Sequence, residues 1–381
     1  MEILMVTAEL TPFGCSSEVG DAVASLSRGL CQLGHQVTVA MPKPADLEAS
    51  GVLVARRLSP LVGADGQQFT LYDGQLGAQV PVVLFESERL EPRTRPYTTE
   101  EGKEYPDNAA RFVELCRAAT LLAQQREQAG RPFDVVHAHD SAGAAMALLS
   151  VGAPIVLTVY DARRQGVASL KELDALGVIR DAEVKERLKL ARRGSLLKAG
   201  MLSADVVAAV SPSYAEALKD EAAFGALAGS LATAEVELYG VLGGVDYAVY
   251  NPATDAALPT RFDAEDSHRK GMCKSALYRS LELEYDPEVP LVCVAGSLDK
   301  DSGADLVAAA APELLKQPLS LVVPPRPAWG GSSPTQAAAT AGPCSRLRAA
   351  CRVHRRCPAA ACARRRATRS SRSAGPPHLR A

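Results

Sequence analysis

The hydrophobic and polar positions at the start of the chain alternate between two kinds of run. Residues 2–6, EILMV, are continuously apolar, which is typical of a strand buried on both faces of a parallel sheet. Serines 16 and 17 then offer a helix cap, and apolar residues recur at helical spacing up to Gly34, namely Val19, Ala22, Val23, Leu26, Leu30 and Leu33. A second apolar run at residues 36–41 completes a predicted strand–helix–strand unit.

The same alternation continues through the first two thirds of the chain. Apolar runs in VPVVLFES, FDVVHAHD, PIVLTVYD and VVAAV predict further strands. The spacing between them predicts a helix capped by Ser211 or Ser213 and, before it, helices over residues 108–128, 141–150 and 182–193. Strands that alternate with helices predict a mostly parallel, doubly wound α/β sheet.

From about residue 243 to residue 283 the chain is richer in polar and turn residues, as expected between two domains. A second strand–helix–strand start follows in PLVCVAGS, a helix over residues 304–316, and LSLVV, after which the pattern stops. We therefore predict a complete Rossmann-like domain over residues 1–245 and the truncated start of a second over residues 246–323. LSLVV is expected at or near the edge of an unfinished sheet.

Charge divides the chain into two unlike parts. The net charge is −2, but residues 324–381 hold twelve arginines and no lysine, aspartate or glutamate, so the first 323 residues carry −14. An acidic body argues against nucleic acid as its partner. Residues 324–381 lack an apolar period, which predicts a disordered Arg/Ala/Pro-rich tail. That tail is either out-of-frame translation of a GC-rich gene or a genuine basic arm that binds nucleic acid or anionic lipid.

Composition narrows the class of protein further. The nine cysteines form no CxxC pair and no regular framework, so they predict neither a disulfide nor a metal site. No segment reaches the roughly 18 apolar residues of a membrane helix, and the N-terminus lacks the features of a signal peptide. We expect a cytoplasmic protein with no membrane partner; the sequence does not predict its oligomeric state.

Candidate chemistry is expected in the loops after the strands. In an open parallel sheet, ligands bind beyond the carboxyl ends of the strands, where helix N-termini favour phosphate. The strand FDVVHAHD ends in His137, His139 and Asp140, and PIVLTVYD ends near Tyr160, so we expect these two loops to be neighbours. The alternative interpretation of HAHD is a strand end with satisfied histidines.

Several ordered segments resemble one family. TAELTPF, VGDAVASLSRGLCQLGHQVTVAMP, YPDNAARF, DVVHAHD, LLKAGMLSADVVAAVSPSYAEAL and LGGVDYAVYNPATDAALPTRF are similar, in order and spacing, to bacterial glycogen and starch synthases. The resemblance covers residues 1–323. It implies a glycosyltransferase of the GT-B type, with two Rossmann-like domains facing each other across a cleft. It also implies transfer of glucose from ADP-glucose to an α-1,4-glucan with no metal or cofactor.

The residues that this resemblance assigns to substrates are only partly present. Asp21, His139 and Asp140 match the family. The family's K-T-G-G-L loop, whose lysine binds the donor, is replaced by residues 15–19, CSSEV, which place Cys15 at the lysine position. A buried small apolar group is the expected role of that thiol, rather than a nucleophile, because no histidine lies near it in the sequence.

The departures continue along the chain. Tyr160 stands at the position of the family's sugar-contacting histidine, and Gly243 at that of an asparagine. Ser297 and Ser302 stand at the positions of an arginine and a lysine that bind the diphosphate. The E-P-C-G-L-type segment of the family's second domain is absent from residues 324–381. The resemblance therefore implies a donor site that has lost most of its cations.

Three interpretations remain open at this point. The chain is a catalytically dead homologue, a non-catalytic glucan-binding or regulatory protein, or a weakly active transferase. In the last case Lys300, or Arg163 and Arg164, would replace the lost cations. Lys198 in LLKAG is expected on a helix surface, and Tyr214 in SPSY in the core.

Overall fold

A computed structural model describes residues 1–48, 50–99, 102–149, 151–294 and 303–323. The described residues form two compact units, Met1–Ala248 and a second unit that begins at Val249. Each unit contains both helices and strands.

The first unit contains thirteen strands and nine α-helices within the described residues. Its strands are β1 (Glu2–Val6), β2 (Gln36–Pro42), β3 (Ala55–Arg56), β4 (Leu61–Val62), β5 (Gln68–Leu76), β6 (Val80–Glu86), β7 (Val135–His139), β8 (Ile155–Val159), β9 (Val167–Ala168), β10 (Lys189–Leu190), β11 (Arg193–Ser195), β12 (Val206–Ala209) and β13 (Leu238–Gly240). Its α-helices are α1 (Glu18–Gln32), α2 (Asn108–Gln128), α3 (Asp140–Gly143), α4 (Leu170–Ala175), α5 (Ala182–Leu188), α6 (Leu196–Met201), α7 (Pro212–Ala217), α8 (Glu221–Phe224) and α9 (Ala226–Thr233).

One large sheet organises this unit, in the order β13-β12-β8-β7-β1-β2-β6-β5-β3, with β4 paired to β5. Every pairing from β13 to β6 is parallel, whereas β5, β3 and β4 are joined by antiparallel pairings. The prediction of a mostly parallel, doubly wound sheet is confirmed. The antiparallel extension lies in residues 55–76, for which the hydrophobic pattern above predicts no element.

The core lies on both faces of the sheet, as the continuous apolar run of β1 predicts. Leu4 and Val6 point into one buried apolar cluster, and Ile3 and Met5 point into a second one. Because successive residues of a strand point to opposite faces, this division shows that helices or loops cover both sides of β1.

Helix α1 begins as the sequence predicts. Ser17 has extended backbone angles, and its side chain accepts a hydrogen bond from Val19 N, so it caps the helix. Gly34, with a φ of 87°, follows the last turn in the left-handed conformation that glycine tolerates. The predicted bounds of α2, residues 108–128, are also confirmed.

Two helical predictions in this unit are wrong in extent. The charged stretch 182–193 is helical only as α5, because Lys189 and Leu190 leave the helix to pair with β11 in an antiparallel hairpin. Within the described residues, the helix predicted over 141–150 is replaced by α3 and a following 3₁₀ turn, Ala144–Leu148. Lys198 is wrongly predicted on a helix surface, since only 5% of it is exposed.

The second unit has fewer elements. Its helices are α10 (Lys270–Ser280) and α11 (Ala304–Leu314), and its strands are β14 (Leu291–Cys293) and β15 (Ser320–Val322). β14 and β15 pair in parallel, so LSLVV lies in a two-stranded sheet within the described residues. Helix α10 falls in a segment that its polar composition marks as inter-domain. The predicted tail, residues 324–381, lies outside the described residues.

Candidate functional site

The carboxyl ends of β7 and β8 lie side by side, because the two strands pair in parallel with His139 opposite Thr158. The loops that follow are joined directly. Asp140 Oδ1 accepts hydrogen bonds from Tyr160 N at 2.7 Å and from Asp161 N at 3.1 Å. The prediction that HAHD and Tyr160 are neighbours is therefore confirmed, and Asp140 is the residue that connects them.

Asp140 lies in an unusual environment for a carboxylate. Only 2% of the residue is exposed, and its φ of 50° lies in the left-handed region that non-glycine residues seldom adopt. Burial raises the pKa of Asp140 to about 7, although the two amide hydrogen bonds act in the opposite direction. Backbone strain and a raised pKa at a strand end are both common at functional sites.

The two histidines of HAHD are stacked, with ring centroids 4.3 Å apart. His137 Nε2 lies 2.7 Å from Thr158 Oγ1, and His139 Nδ1 lies 3.3 Å from the hydroxyl of Tyr160. His139 Nε2 is buried without a hydrogen-bond partner among the described residues. Burial lowers the pKa of His137 to about 4 and also lowers that of His139, so both rings are neutral at neutral pH. Only His137 therefore fits the alternative of a satisfied strand-end histidine.

Cys15, at the family's lysine position, lies half-buried in the loop between β1 and α1. Its Sγ donates to the Ser17 carbonyl at 2.8 Å and packs against Gly20, where an added β-carbon would lie 2.7 Å from the sulfur. Burial, reinforced by the Glu9 carboxylate, raises the pKa of the thiol to about 12. Cys15 is thus an uncharged packing group, as expected, but it is half-buried and not buried.

Glu9 is a member of this site that the sequence analysis missed. It is fully buried, and its carboxylate accepts hydrogen bonds from Ser16 N at 3.2 Å and from the hydroxyls of Ser16 and Ser17, each at 2.5 Å. Burial raises its pKa despite these donors. The sequence feature that could have identified Glu9 is its position three residues beyond the end of β1, in TAELTPF.

Tyr97 is a second missed residue. Its ring lies beneath the Arg164 guanidinium, 5.0 Å from ring centroid to Cζ, and its buried hydroxyl has no partner among the described residues. Burial, followed by the charges of Asp140 and Glu9, raises the pKa of Tyr97. Tyr97 lies in an irregular segment far from either strand end in the sequence, so no pattern pointed to it.

The loop after β8 carries two arginines, and both pair with Asp161. Arg163 Nε lies 2.8 Å and Arg164 Nε 3.4 Å from the Asp161 carboxylate. Burial alone would raise the pKa of Asp161, but the hydrogen bonds and charge of Arg163 lower it. Ala162 N donates to the hydroxyl of Tyr214 at 3.0 Å, which fixes the same loop against α7.

The remaining predicted residues lie elsewhere. Asp21 is half-buried in the first turn of α1. Gly243 is exposed in the segment after β13, with open space where a β-carbon would be. Ser297, Ser302 and Lys300 lie outside the described residues, so the structure does not place them.

In the part of the chain that the structure describes, no group of three histidine, cysteine, aspartate or glutamate side chains is arranged to hold a metal ion. No helix there combines the length and apolar character needed to cross a membrane.

The sequence of this chain is similar to those of known proteins. A family model described as the starch synthase catalytic domain matches residues 2–233. The glycogen synthase of Anaeromyxobacter sp. (strain Fw109-5) is 35% identical over 336 residues, which cover 85% of this chain and 69% of that protein. The glycogen synthase of Aromatoleum aromaticum (strain DSM 19018 / LMG 30748 / EbN1) is 33% identical over 331 residues, which cover 85% and 67%.

The chain belongs to the glycogen and starch synthase family. A solved structure agrees: the catalytic domain of Starch Synthase IV from Arabidopsis thaliana, bound to ADP and acarbose, matches with a TM-score of 0.73 at 26% identity. That match covers 84% of this chain and 68% of that one. The resemblance inferred from the sequence and the α/β fold of the GT-B type are both confirmed. This starch synthase homologue spans about two thirds of the length of these relatives.

Proposed function

We propose that this starch synthase homologue is a pseudoenzyme that does not transfer glucose, because its first loop offers no positive charge to a nucleotide diphosphate. The family resemblance implies metal-free transfer from ADP-glucose to an α-1,4-glucan. In such a reaction, cationic side chains and helix N-termini stabilise the departing diphosphate. The observation that carries the proposal is the environment of Cys15.

The Cys15 thiol has a pKa of about 12, so it is neutral at neutral pH, and it donates to the Ser17 carbonyl. The thiol also lies close enough to Glu9 for the Glu9 carboxylate to raise the pKa of Cys15. A diphosphate approaching this loop would therefore meet a neutral sulfur and a buried acidic group. Each lost charge-assisted hydrogen bond costs about 1.5–3 kcal/mol of binding free energy.

The N-terminus of α1 is also occupied by groups of this chain. Ser17 accepts from Val19 N, and Glu9 accepts from Ser16 N. Glu18 and Asp21 lie in the first turn, where carboxylates interact favourably with the helix dipole. Part of the hydrogen-bonding and electrostatic capacity that favours a phosphate at a helix N-terminus is thus already used by this chain's own groups.

Arg163 and Arg164 are poor replacements for the missing cation. Both pair with Asp161 on their own loop. Recruiting either arginine to a diphosphate would separate it from that carboxylate, so part of the gain in binding would be lost with the ion pair. These two arginines therefore do not support the interpretation of the chain as a weakly active transferase.

A transfer assay tests the proposal. The full chain is incubated with glycogen and ADP-[¹⁴C]glucose, and the glycogen synthase of Anaeromyxobacter sp. serves as the active control. We expect no incorporation above a blank without protein. Incorporation that rises with protein concentration and is lost in Asp140→Asn would contradict the proposal, because only this chain's own site would respond to that substitution.

Glucan binding without transfer receives no specific support from the site. At the carboxyl ends of β7 and β8 no exposed aromatic ring of the described residues faces a ligand, since Tyr160 is half-buried and the nearby Tyr97 is buried. Electrophoresis through a gel that contains glycogen checks this. We expect the mobility of the chain to equal that in a gel without glycogen.

A further inference from the structure

The carboxylate of Glu9 lies at the centre of the hydrogen bonds made by the loop between β1 and α1. Its Oε1 accepts from Ser16 N at 3.2 Å and from Ser16 Oγ at 2.5 Å, and its Oε2 accepts from Ser17 Oγ at 2.5 Å. The Ser17 hydroxyl accepts from Val19 N at 3.3 Å, so its single hydrogen is free for Glu9. The three groups that contact the carboxylate are therefore all donors, which is the environment of an anion.

Two sources of positive charge add to these donors. Helix α1 begins directly after Ser17, and a helix N-terminus carries a partial positive charge. Burial has the largest effect on the pKa of Glu9 and raises it, whereas the hydrogen bonds from Ser16 and Ser17 and the charge of Arg164 lower it. Donor hydroxyls, a backbone N–H, a helix N-terminus and a guanidinium are groups with which proteins hold a small anion.

The backbone holds Glu9 in this position. Glu9 N donates to Thr7 Oγ1 at 3.2 Å, and the Thr7 hydroxyl donates to the Glu9 carbonyl at 3.0 Å. Leu10 and Gly14 then exchange two backbone hydrogen bonds of 2.9 Å each. An anion from solution must therefore compete with a tethered carboxylate of high effective concentration. Displacement would also leave the buried carboxylate of Glu9 without partners, which costs free energy.

We propose that Glu9 is an internal anion that fills the anion site of this loop and keeps it closed to phosphates and carboxylates from solution. The contact is autoinhibitory, because the blocking group belongs to the chain itself. It deepens the proposed function and rests on its assignment of the loop: Cys15 supplies no charge, and Glu9 engages donors that remain. The tests below use no nucleotide, so they succeed or fail independently of glucose transfer.

Removal of the carboxylate tests the assignment. Glu9→Ala deletes Cγ and the carboxyl group, which together have the size of acetate, so acetate should bind in the space that they leave. We expect a saturable rise in the urea midpoint of Glu9→Ala. With a Kd of about 10 mM, acetate at about 100 mM lowers the unfolding equilibrium constant roughly tenfold. Acetamide has the same shape without the charge and should bind about tenfold more weakly.

The unaltered chain and Glu9→Gln are the matched controls, because in both a side chain fills the space. Neither should respond to acetate beyond the effect of added salt, which sodium chloride at equal ionic strength measures. Calorimetric titration of the unaltered chain with inorganic phosphate and with acetate should show no binding up to about 10 mM.

A double-mutant cycle provides a second test with variants that leave no large cavity. Glu9→Gln and Ser16→Ala should be coupled, so that their combined effect on the unfolding equilibrium constant differs by about fivefold to tenfold from the product of the single effects. Glu9→Gln and Ser59→Ala should be independent, since Ser59 is exposed in the segment before β4.

The assignment is wrong if a folded Glu9→Ala variant gives no saturable response to acetate, or if acetamide stabilises it equally. It is also wrong if the coupling of Glu9 with Ser16 is no larger than that with Ser59, or if the unaltered chain binds either anion. None of these results bears on Cys15, whose assignment depends on the transfer assay.

Discussion

Burial shifts the pKa values of two side chains at the carboxyl edge of the sheet in opposite directions. Burial raises the pKa of Asp140 to about 7 and lowers that of His137 to about 4. The folded protein therefore holds a proton on Asp140 that the unfolded chain releases, while it resists protonation of His137. As pH rises from 4 to 7, Asp140 lowers the free energy of unfolding and His137 raises it. The two contributions partly cancel in the stability of the unaltered chain.

Replacing Asp140 with asparagine should expose this balance. With a folded pKa of about 7 and an unfolded value near 3.9, Asp140 contributes stability at low pH that is lost as pH rises to 7. The asparagine side chain keeps an oxygen acceptor for Tyr160 N but cannot titrate. The difference in the free energy of unfolding between pH 7 and pH 5 should increase by about 2 kcal/mol relative to the unaltered chain, as measured by urea denaturation.

Asp174→Asn is the matched control, because Asp174 is exposed on α4. Its pH profile should follow that of the unaltered chain. Identical pH profiles for Asp140→Asn and the unaltered chain would show that Asp140 does not titrate in this window, and the assigned electrostatics of the site would be wrong.

The residues of the site were predictable where they end a strand. His139, Asp140 and Tyr160 follow apolar runs, and parallel strands bring such ends together. Glu9 and Tyr97 were missed because their role depends on burial by other segments. Tyr97 is close to Asp140 only through folding, and Glu9 becomes a fixed acceptor only when Ser16 and Ser17 fold back toward it.

Among the elements, the hairpin of β10 and β11 depends on one buried lysine. Lys198, on α6, donates from Nζ to the carbonyls of Lys189 at 2.7 Å, Arg187 at 3.1 Å and Glu186 at 3.4 Å. Two of these carbonyls belong to the last turn of α5 and one to the first residue of β10, and the carbonyl of Glu186 also accepts from Lys189 N. The lysine thus holds the point where helix gives way to strand.

Lys198→Met tests this role. Methionine retains most of the apolar stem but provides no donor, so three carbonyl acceptors lose their shared partner. We expect a loss of about 2–3 kcal/mol in the free energy of unfolding, measured by urea denaturation. Lys185→Met, on the exposed face of α5, should change it by less than about 0.5 kcal/mol.

Comparable losses for these two lysine variants would mean that the carbonyl contacts of Lys198 contribute nothing specific. A loss confined to Lys198→Met would locate the effect at the junction of α5 and β10.

The same lysine explains why the sequence predicted some elements and not others. The bounds of α2 follow from its own apolar spacing and its length. Residues 182–193 have equally helical composition, but Lys189 and Leu190 pair with a strand distant from that pattern. The antiparallel strand β5 was missed because Asp73 and Gly74 interrupt its alternation of apolar residues.

At the scale of the whole molecule, the parallel sheet collects the site from separate parts of the first unit. Loops after β1, β7 and β8 meet at one edge because these strands are adjacent and point the same way. The strand order and loop positions that bring the site together are therefore present, while the charged side chains on these loops differ from those that the resemblance implies. Cys15 stands where the resemblance implies a lysine, Glu9 is a buried acid beside it, and Asp161 pairs with the two arginines of its own loop.

The most direct test is calorimetric titration of the full chain with ADP-glucose in a buffer free of phosphate. The account predicts no binding, or a Kd weaker than about 1 mM, because several lost charge-assisted contacts exceed the roughly 4 kcal/mol of a millimolar complex. The Anaeromyxobacter glycogen synthase in the same buffer is the positive control. A micromolar Kd for this chain would contradict the account, since it would mean that the site binds the donor without a cation at position 15.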